Sequence, residues 1–296
     1  MAAGKTHVPL IETHLIRSEH VAQTFKIEVM QPVQQRGEAT RFPVVYVTDG
    51  NLAFDVLKGI ALSLQLAERQ VPRFMVVGIG YPGESPLAGA VLRARDFTFP
   101  GYPKLSTEPP PIEGVLVDEP GAKDFYGAED FQRFIERELV PLIDGRYRTI
   151  PGDRTYFGHS VAGGFGLFTL FTQAHLFKNY IVSSPGLVYH GTSSAGVHYD
   201  DHDFVLQDAR RFVASGTSLD GTRLFMSVGT AEEFEPNLAQ WRLTSSFHRL
   251  VALMKAGNIP GLQFTAETFP GATHMTAWPL AFIDGVKCMF GTEQRK

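Results

Sequence analysis

The sequence predicts a doubly wound α/β fold, a mostly parallel sheet with helices on both faces. Three observations carry that prediction. Near-continuous apolar runs recur along the 296 residues. Helical apolar patterns separate them. The first run alternates instead of running on, which marks an antiparallel N-terminal edge.

The elements follow in order. Thr24–Pro32, "TFKIEVMQP", puts Phe25, Ile27 and Val29 on one face, the period of a half-exposed strand. "FPVVYVTDG" (42–50) and "RFMVVGIGYP" (73–82) are apolar throughout, as strands buried on both faces are. "TYFGHS" (155–160), "NYIVSSPG" (179–186), "RLFMSVGT" (223–230) and "QFTAETFPG" (263–271) continue the series. Between them, Leu52–Arg69, Asp130–Asp144 and Asn237–Ala256 carry helical apolar faces, the last closed by Gly257. Strands alternating with helices at this spacing imply right-handed crossovers. We expect one domain over 1–296.

The segment Glu84–Asp124 breaks the alternation. It is rich in Pro and Gly, with "EPPP" at 108–111. Because it follows a strand end, it is expected to form a wall or lid above the C-terminal ends of the strands, where open α/β sheets bind ligands. A plain surface excursion is the alternative. Phe97, Phe99, Tyr102, Phe125 and Tyr126 favour the wall, since disordered segments are poor in aromatics.

Composition narrows the function classes. A hydrophobic fraction of 44% supports a sizeable core. A net charge of −4 with no basic stripe argues against a nucleic-acid partner. No uncharged apolar stretch reaches the ~20 residues of a membrane span. The N-terminus lacks a basic start followed by an apolar core, so no signal peptide is read and a cytoplasmic protein is expected. The single cysteine, Cys288, lies in the apolar run "FIDGVKCMF" and is expected in the core.

The chemistry starts at "TYFGHSVAGGFGLFTLF", Thr155–Phe171. A serine on a sharp strand-to-helix turn is a nucleophile elbow, and the turn demands small residues two before and two after it. Gly158 and Ala162 hold those places, and Gly163 and Gly164 follow. A serine hydroxyl needs a base, and the base needs an orienting carboxylate. In elbow hydrolases the chain order is serine, acid, histidine. That order selects His274 in "TFPGATHMTAWP", which follows the last strand and precedes an apolar terminal helix. His248 falls in a helix pattern beside Arg249 and reads as a surface residue.

The acid should follow "RLFMSVGT", where "AEEFE" offers Glu232, Glu233 and Glu235, with Glu232 first and Glu233 second. The same cluster also reads as a solvated acidic helix start, and a Ser–His dyad without an acid stays open. Two backbone N–H groups should hold the oxyanion: Val161 after the serine, and Asn51 at the head of the helix after "TDG". His159 beside the serine, with Phe97 and Tyr126 of the wall, are expected to contact substrate.

"VVYVTDGN", "VVGIGYP", "RARDFTFPG", "DFQRFIERELVPLIDGRYRT", "GHSVAGGFGLFTLF" and "SSPGL" occur in the order seen in the esterase D-like branch of the α/β-hydrolases. The chain resembles that branch over roughly residues 20–290, and within it the siderophore trilactone esterases most. The resemblance implies the α/β-hydrolase fold, Ser160 as nucleophile, His274 as base and Glu232 in the Gly-x-x-Glu after the acid strand. It also implies Asn51 and Val161 as oxyanion donors. Ala162 stands where the family usually has Gly.

The reading is a serine hydrolase that cleaves a small-molecule carboxylic ester or lactone through an acyl-enzyme, with no metal or organic cofactor. An acyltransferase on the same machinery and a non-catalytic ligand-binding relative are the alternatives. "HYDDHD" (198–203) invites a metal, but its spacing matches no metal signature. Oligomeric state is left open by the sequence.

Overall fold

The structure is a computed structural model that describes residues 11–33, 39–68, 71–83, 89, 92–103, 126–192 and 198–291. In chain order the elements are β1 (Ile11–Arg17), β2 (Thr24–Met30), β3 (Phe42–Val47), α1 (Gly50–Ser63), β4 (Met75–Gly80), α2 (Leu92–Asp96), α3 (Ala128–Phe134), α4 (Val140–Arg146) and β5 (Thr149–His159). There follow α5 (Val161–Thr172), β6 (Asn179–Ser183), β7 (Tyr189–Thr192), β8 (His198–His202), α6 (Phe204–Ser215), β9 (Arg223–Gly229), α7 (Leu243–Gly257), β10 (Gln263–Phe269) and α8 (His274–Phe290).

Eight strands form one sheet in the order β1-β2-β4-β3-β5-β6-β9-β10. β1, β2 and β4 pair antiparallel, and the rest pair parallel. The expected antiparallel edge is therefore a hairpin. Its outer strand β1 escaped the sequence reading because its burial pattern never falls below half-exposed. β2 alternates as expected, with Phe25, Ile27 and Val29 buried and Lys26 paired to Glu28 on the other face.

The strand side chains divide by parity. Val44 and Tyr46 enter a core with α3 to α7, while Val45 and Val47 enter one with α1 and α8. Burial on both faces is why β3, β4 and β6 read as unbroken apolar runs.

Several boundaries differ from expectation for local reasons. The 130–144 helix contains a π turn, Ile135–Leu139, just before Pro141. Pro141 has no N–H to give the ladder, and the wider turn absorbs the break. The 237–256 helix begins only at Leu243, because Arg242 takes φ 44° at its cap. It runs through Gly257 to Asn258 at φ 41°. Cys288 is exposed, correcting its expected place in the core. α8 turns Trp278, Phe282, Val286 and Met289 inward, and Cys288 falls off that stripe.

The start of the expected wall is part of the core. Phe99 stacks on Phe168 of α5 at 4.4 Å, and Tyr102 meets Phe204 and Trp241. The rest of the expected wall, including Phe125 and the 108–111 run, lies outside the described residues. Among the described residues, no helix is long and apolar enough to cross a membrane.

Candidate active site

β3 and β5 are sheet neighbours, yet their crossovers leave in opposite directions, to β4 and to β6. This is the switch point where open sheets bind ligands. α1 and α5 both begin there, and the first N–H groups of a helix lack intrahelical acceptors. Asn51 and Val161 occupy those first turns.

Ser160 joins β5 to α5 with φ 61° and ψ −121°. A non-glycine residue in that region is strained, as an elbow requires. The reason for glycine at 158 is now visible. A Cβ there would run into the Tyr156 hydroxyl and the Ala162 carbonyl. That hydroxyl lies under the elbow and donates to the Ala162 carbonyl at 2.6 Å. At Gly163, a Cβ would come 3.0 Å from the Ser183 carbonyl, so the glycine lets α5 sit close against β6. Ala162 itself is buried without strain in the positive-φ region.

Glu232 is fully buried. Its Oε2 lies 2.7 Å from His274 Nδ1. Its Oε1 accepts from the Ser184 hydroxyl at 2.7 Å and the Gly229 N–H at 2.6 Å. A carboxylate that accepts this many hydrogen bonds is held in one orientation. Glu233 does other work: it accepts from the backbone N–H of Thr244 and Ser245 at the start of α7. Packing thus separates the two candidate acids, which sequence alone could only rank.

His274 does not sit in a loop. It is the first residue of α8, behind a Thr273–Thr276 capping box. Its N–H donates to Glu235 Oε2 at 2.7 Å. Two carboxylates therefore anchor this histidine, one on the ring and one on the backbone. Glu235 was offered as a third candidate acid and instead holds the His274 backbone, and Ser184 was not singled out at all. Their signal was present in "AEEFE" and "SSPG", but nothing local assigned them a partner.

His159 lies against His274. Its ring centroid is 4.3 Å from that of His274, and its Nδ1 is 3.1 Å from the Ser183 hydroxyl. Burial, with the charges of His274 and Arg93, holds it well below the usual imidazole range, so it is neutral.

The Asn51 turn is equally constrained. The Asn51 side chain spans to β4, accepting from Tyr81 N–H at 2.6 Å and donating to its carbonyl at 2.8 Å. Asp49, at φ 55°, carries a two-pronged ion pair with Arg93 at 2.6 and 2.9 Å. This explains why "TDGN" and "RARD" occur together.

Phe97 is corrected as a substrate contact. It is buried against Phe131 and Phe165, with the Arg93 guanidinium 5.5 Å over its ring. Tyr126 is half-buried, and its hydroxyl donates to the Tyr102 carbonyl at 3.0 Å. The structure brings Ser160, His159, His274, Glu232, Asn51 and Val161 to one end of the sheet. His248 is exposed on α7. Asp203 of the "HYDDHD" stretch pairs with Arg210 and Arg249. Among the described residues, no group of three or more His, Cys, Asp or Glu could hold a metal.

Known proteins resemble this chain in sequence and in fold. The family described as "Putative esterase" matches residues 116–289. The ferri-bacillibactin esterase BesA of Bacillus subtilis is 27% identical over 276 residues, covering 92% of this chain and 87% of its own. The siderophore triacetylfusarinine C esterase of Aspergillus fumigatus is 27% identical over 246 residues, 81% of this chain and 75% of its own. The siderophore hydrolase EstA from Aspergillus nidulans superposes with a TM-score of 0.75 at 20% identity, with 98% of each chain covered.

Proposed function

We propose, from the premise that the chain belongs to the putative esterase family and is a carboxylic ester hydrolase, that it works through an acyl-enzyme on Ser160. One observation carries this: the buried Glu232 carboxylate bonded at 2.7 Å to His274 Nδ1. A carboxylate there fixes the tautomer that leaves Nε2 bare as the base, and it stabilises the imidazolium that forms.

The steps follow. His274 Nε2 takes the Ser160 proton as the hydroxyl oxygen attacks the ester carbonyl. The carbonyl oxygen gains negative charge and is held by the Asn51 and Val161 amides, aided by the positive end of α5. Collapse expels the alcohol, which takes its proton from His274. Water then attacks the acyl-enzyme, with His274 again as base, and frees the carboxylic acid. The sequence of bonds needs no metal or cofactor.

The names of the relatives put a siderophore ester or lactone first among substrates. We read the chain as one hydrolase domain.

The test is hydrolysis of a short-chain p-nitrophenyl ester and labelling by a fluorophosphonate, on wild type and Ser160→Ala. Turnover and label in the wild type, both lost in the variant, are expected. A folded wild type inert to both reagents would sink the reading and favour a non-catalytic ligand-binding protein.

A further inference from the structure

The segment after β9 inverts the usual partition of residues. In "AEEFE" the three carboxylates are all tied inward. Glu232 holds His274 Nδ1 and Glu235 holds His274 N–H. Glu233 accepts from the Thr244 and Ser245 amides and from the Ser245 hydroxyl at 2.7 Å. The one apolar residue among them, Phe234, is 83% exposed. Phenylalanine ordinarily goes inside and carboxylates outside. Here a rigid frame presents a phenyl ring to solvent.

Its position is informative. The residues on either side that bind His274 are Glu232 and Glu235, so Phe234 stands beside the base. Met275 follows His274 directly and is 54% exposed. A single exposed apolar side chain needs no explanation. Two of them, one set between the glutamates that bind His274 and the other next to it in the chain, are neighbours of the same histidine.

We propose that Phe234 and Met275 form a subsite for the apolar part of the alcohol released from the ester. It rests on reading Ser160, His274 and Glu232 as a hydrolytic triad. The base must hand a proton to the leaving oxygen, so the alcohol lies on the His274 side of the scissile bond. There it meets a phenyl face and a thioether, which suit an aromatic or bulky alkyl group. The charge around them argues against a lipid surface as occupant. Within "AEEFE" the ionisable groups are three glutamates, which do not attract anionic headgroups.

The experiment compares ethyl acetate with 2-cyclohexylethyl acetate, two alcohols of matched acidity, and varies the acyl group in a second series. The wild type is expected to favour the larger alcohol in kcat/KM. Phe234→Ser should cut that preference roughly tenfold, mostly through KM, the loss of about 1.4 kcal/mol of contact. Met275→Ser should cut it by less, and Phe234→Leu should keep most of it. Leu15→Ser, which removes an exposed apolar residue of β1, should leave it alone.

An unchanged preference in Phe234→Ser overturns the subsite. So does a change seen only in the acyl series, or lost binding to phosphatidylcholine vesicles with the alcohol preference intact. Fluorophosphonate labelling of the wild type separates the two readings. A labelled, active enzyme with unchanged preference loses only the subsite. An unlabelled, inactive one loses the triad, and the subsite falls with it.

Discussion

The two ends of the sheet are built to different rules. At the C-terminal end, Asp49, Ser160 and Ser184 all follow parallel strands with positive φ, and Glu232 is fully buried. At the N-terminal end lies a cavity of about 590 Å³ rimmed by Arg41, Arg73, Lys178 and Arg223. There the guanidinium groups of Arg41, Arg73 and Arg223 donate to the backbone carbonyls of Thr149, Val33 and Met289. One end spends stability on strained turns and a buried charge. The other ties off loop carbonyls with long, partly solvated side chains. Strain collects where it positions reacting groups, and the contrast can be broken or sharpened by substitution.

The largest effect is expected at Glu232. Glu232→Gln puts an amide N–H against His274 Nδ1–H and disfavours the working tautomer. A fall in kcat of about a thousandfold is expected, with KM little moved. Steady-state kinetics on the p-nitrophenyl ester measure it. A loss under tenfold would show that Ser160 and His274 act as a dyad.

Ser184 comes next. Ser184→Ala removes one of the two donors on Glu232 Oε1 and should lower kcat about tenfold and stability by about 1–3 kcal/mol. Ser184→Gly loses the same hydroxyl but relieves φ 45°. It should recover part of the stability and none of the kcat. If both parameters recover together, strain and not the hydrogen bond is what matters at this position.

His159 sharpens the comparison through pH. Its folded value is depressed, so the unfolded chain takes the proton first. Its contribution to stability is complete above about pH 6.5 and is lost as pH falls below that, by at most about 1.4 kcal/mol per pH unit. Thermal melts between pH 8 and 5 should show a shallower acid decline in His159→Gln than in wild type. Parallel curves would mean that other groups govern the acid limb.

The smallest effect is expected at the opposite end. Lys178 pairs with Asp153 at 3.5 Å and is exposed. Lys178→Ala should change stability by about 0–1 kcal/mol and leave kcat/KM as it was. A clear loss of activity would connect the N-terminal end to the site and end the contrast.

Much of this architecture was legible before any coordinates. The elbow showed in the spacing of Gly158, Ser160 and Ala162, because the turn excludes side chains at those offsets. Chain order pointed to His274 and to the "AEEFE" cluster, since each must sit after a particular strand. Phe97 was misjudged because an aromatic in a Pro-rich stretch looks the same whether it lines a wall or fills a core. Cys288 was misjudged because an apolar run does not say which side of the helix meets the sheet. β1 was missed because an exposed edge strand carries no strong alternation.

The sequence by itself determined a mostly parallel sheet with an antiparallel N-terminal edge, and the tight turn at the serine. Those features rest on short-range rules: side-chain period, steric room at a turn, and the handedness of crossovers. Only the tertiary structure decided that Glu232 and not Glu233 faces the base, that Glu235 and Ser184 hold the pair, and that Phe234 is left in water. Glu232 and His274 are 42 residues apart in the chain, and neighbouring glutamates have the same chemistry. What distinguishes them is the direction in which a packed backbone points each one.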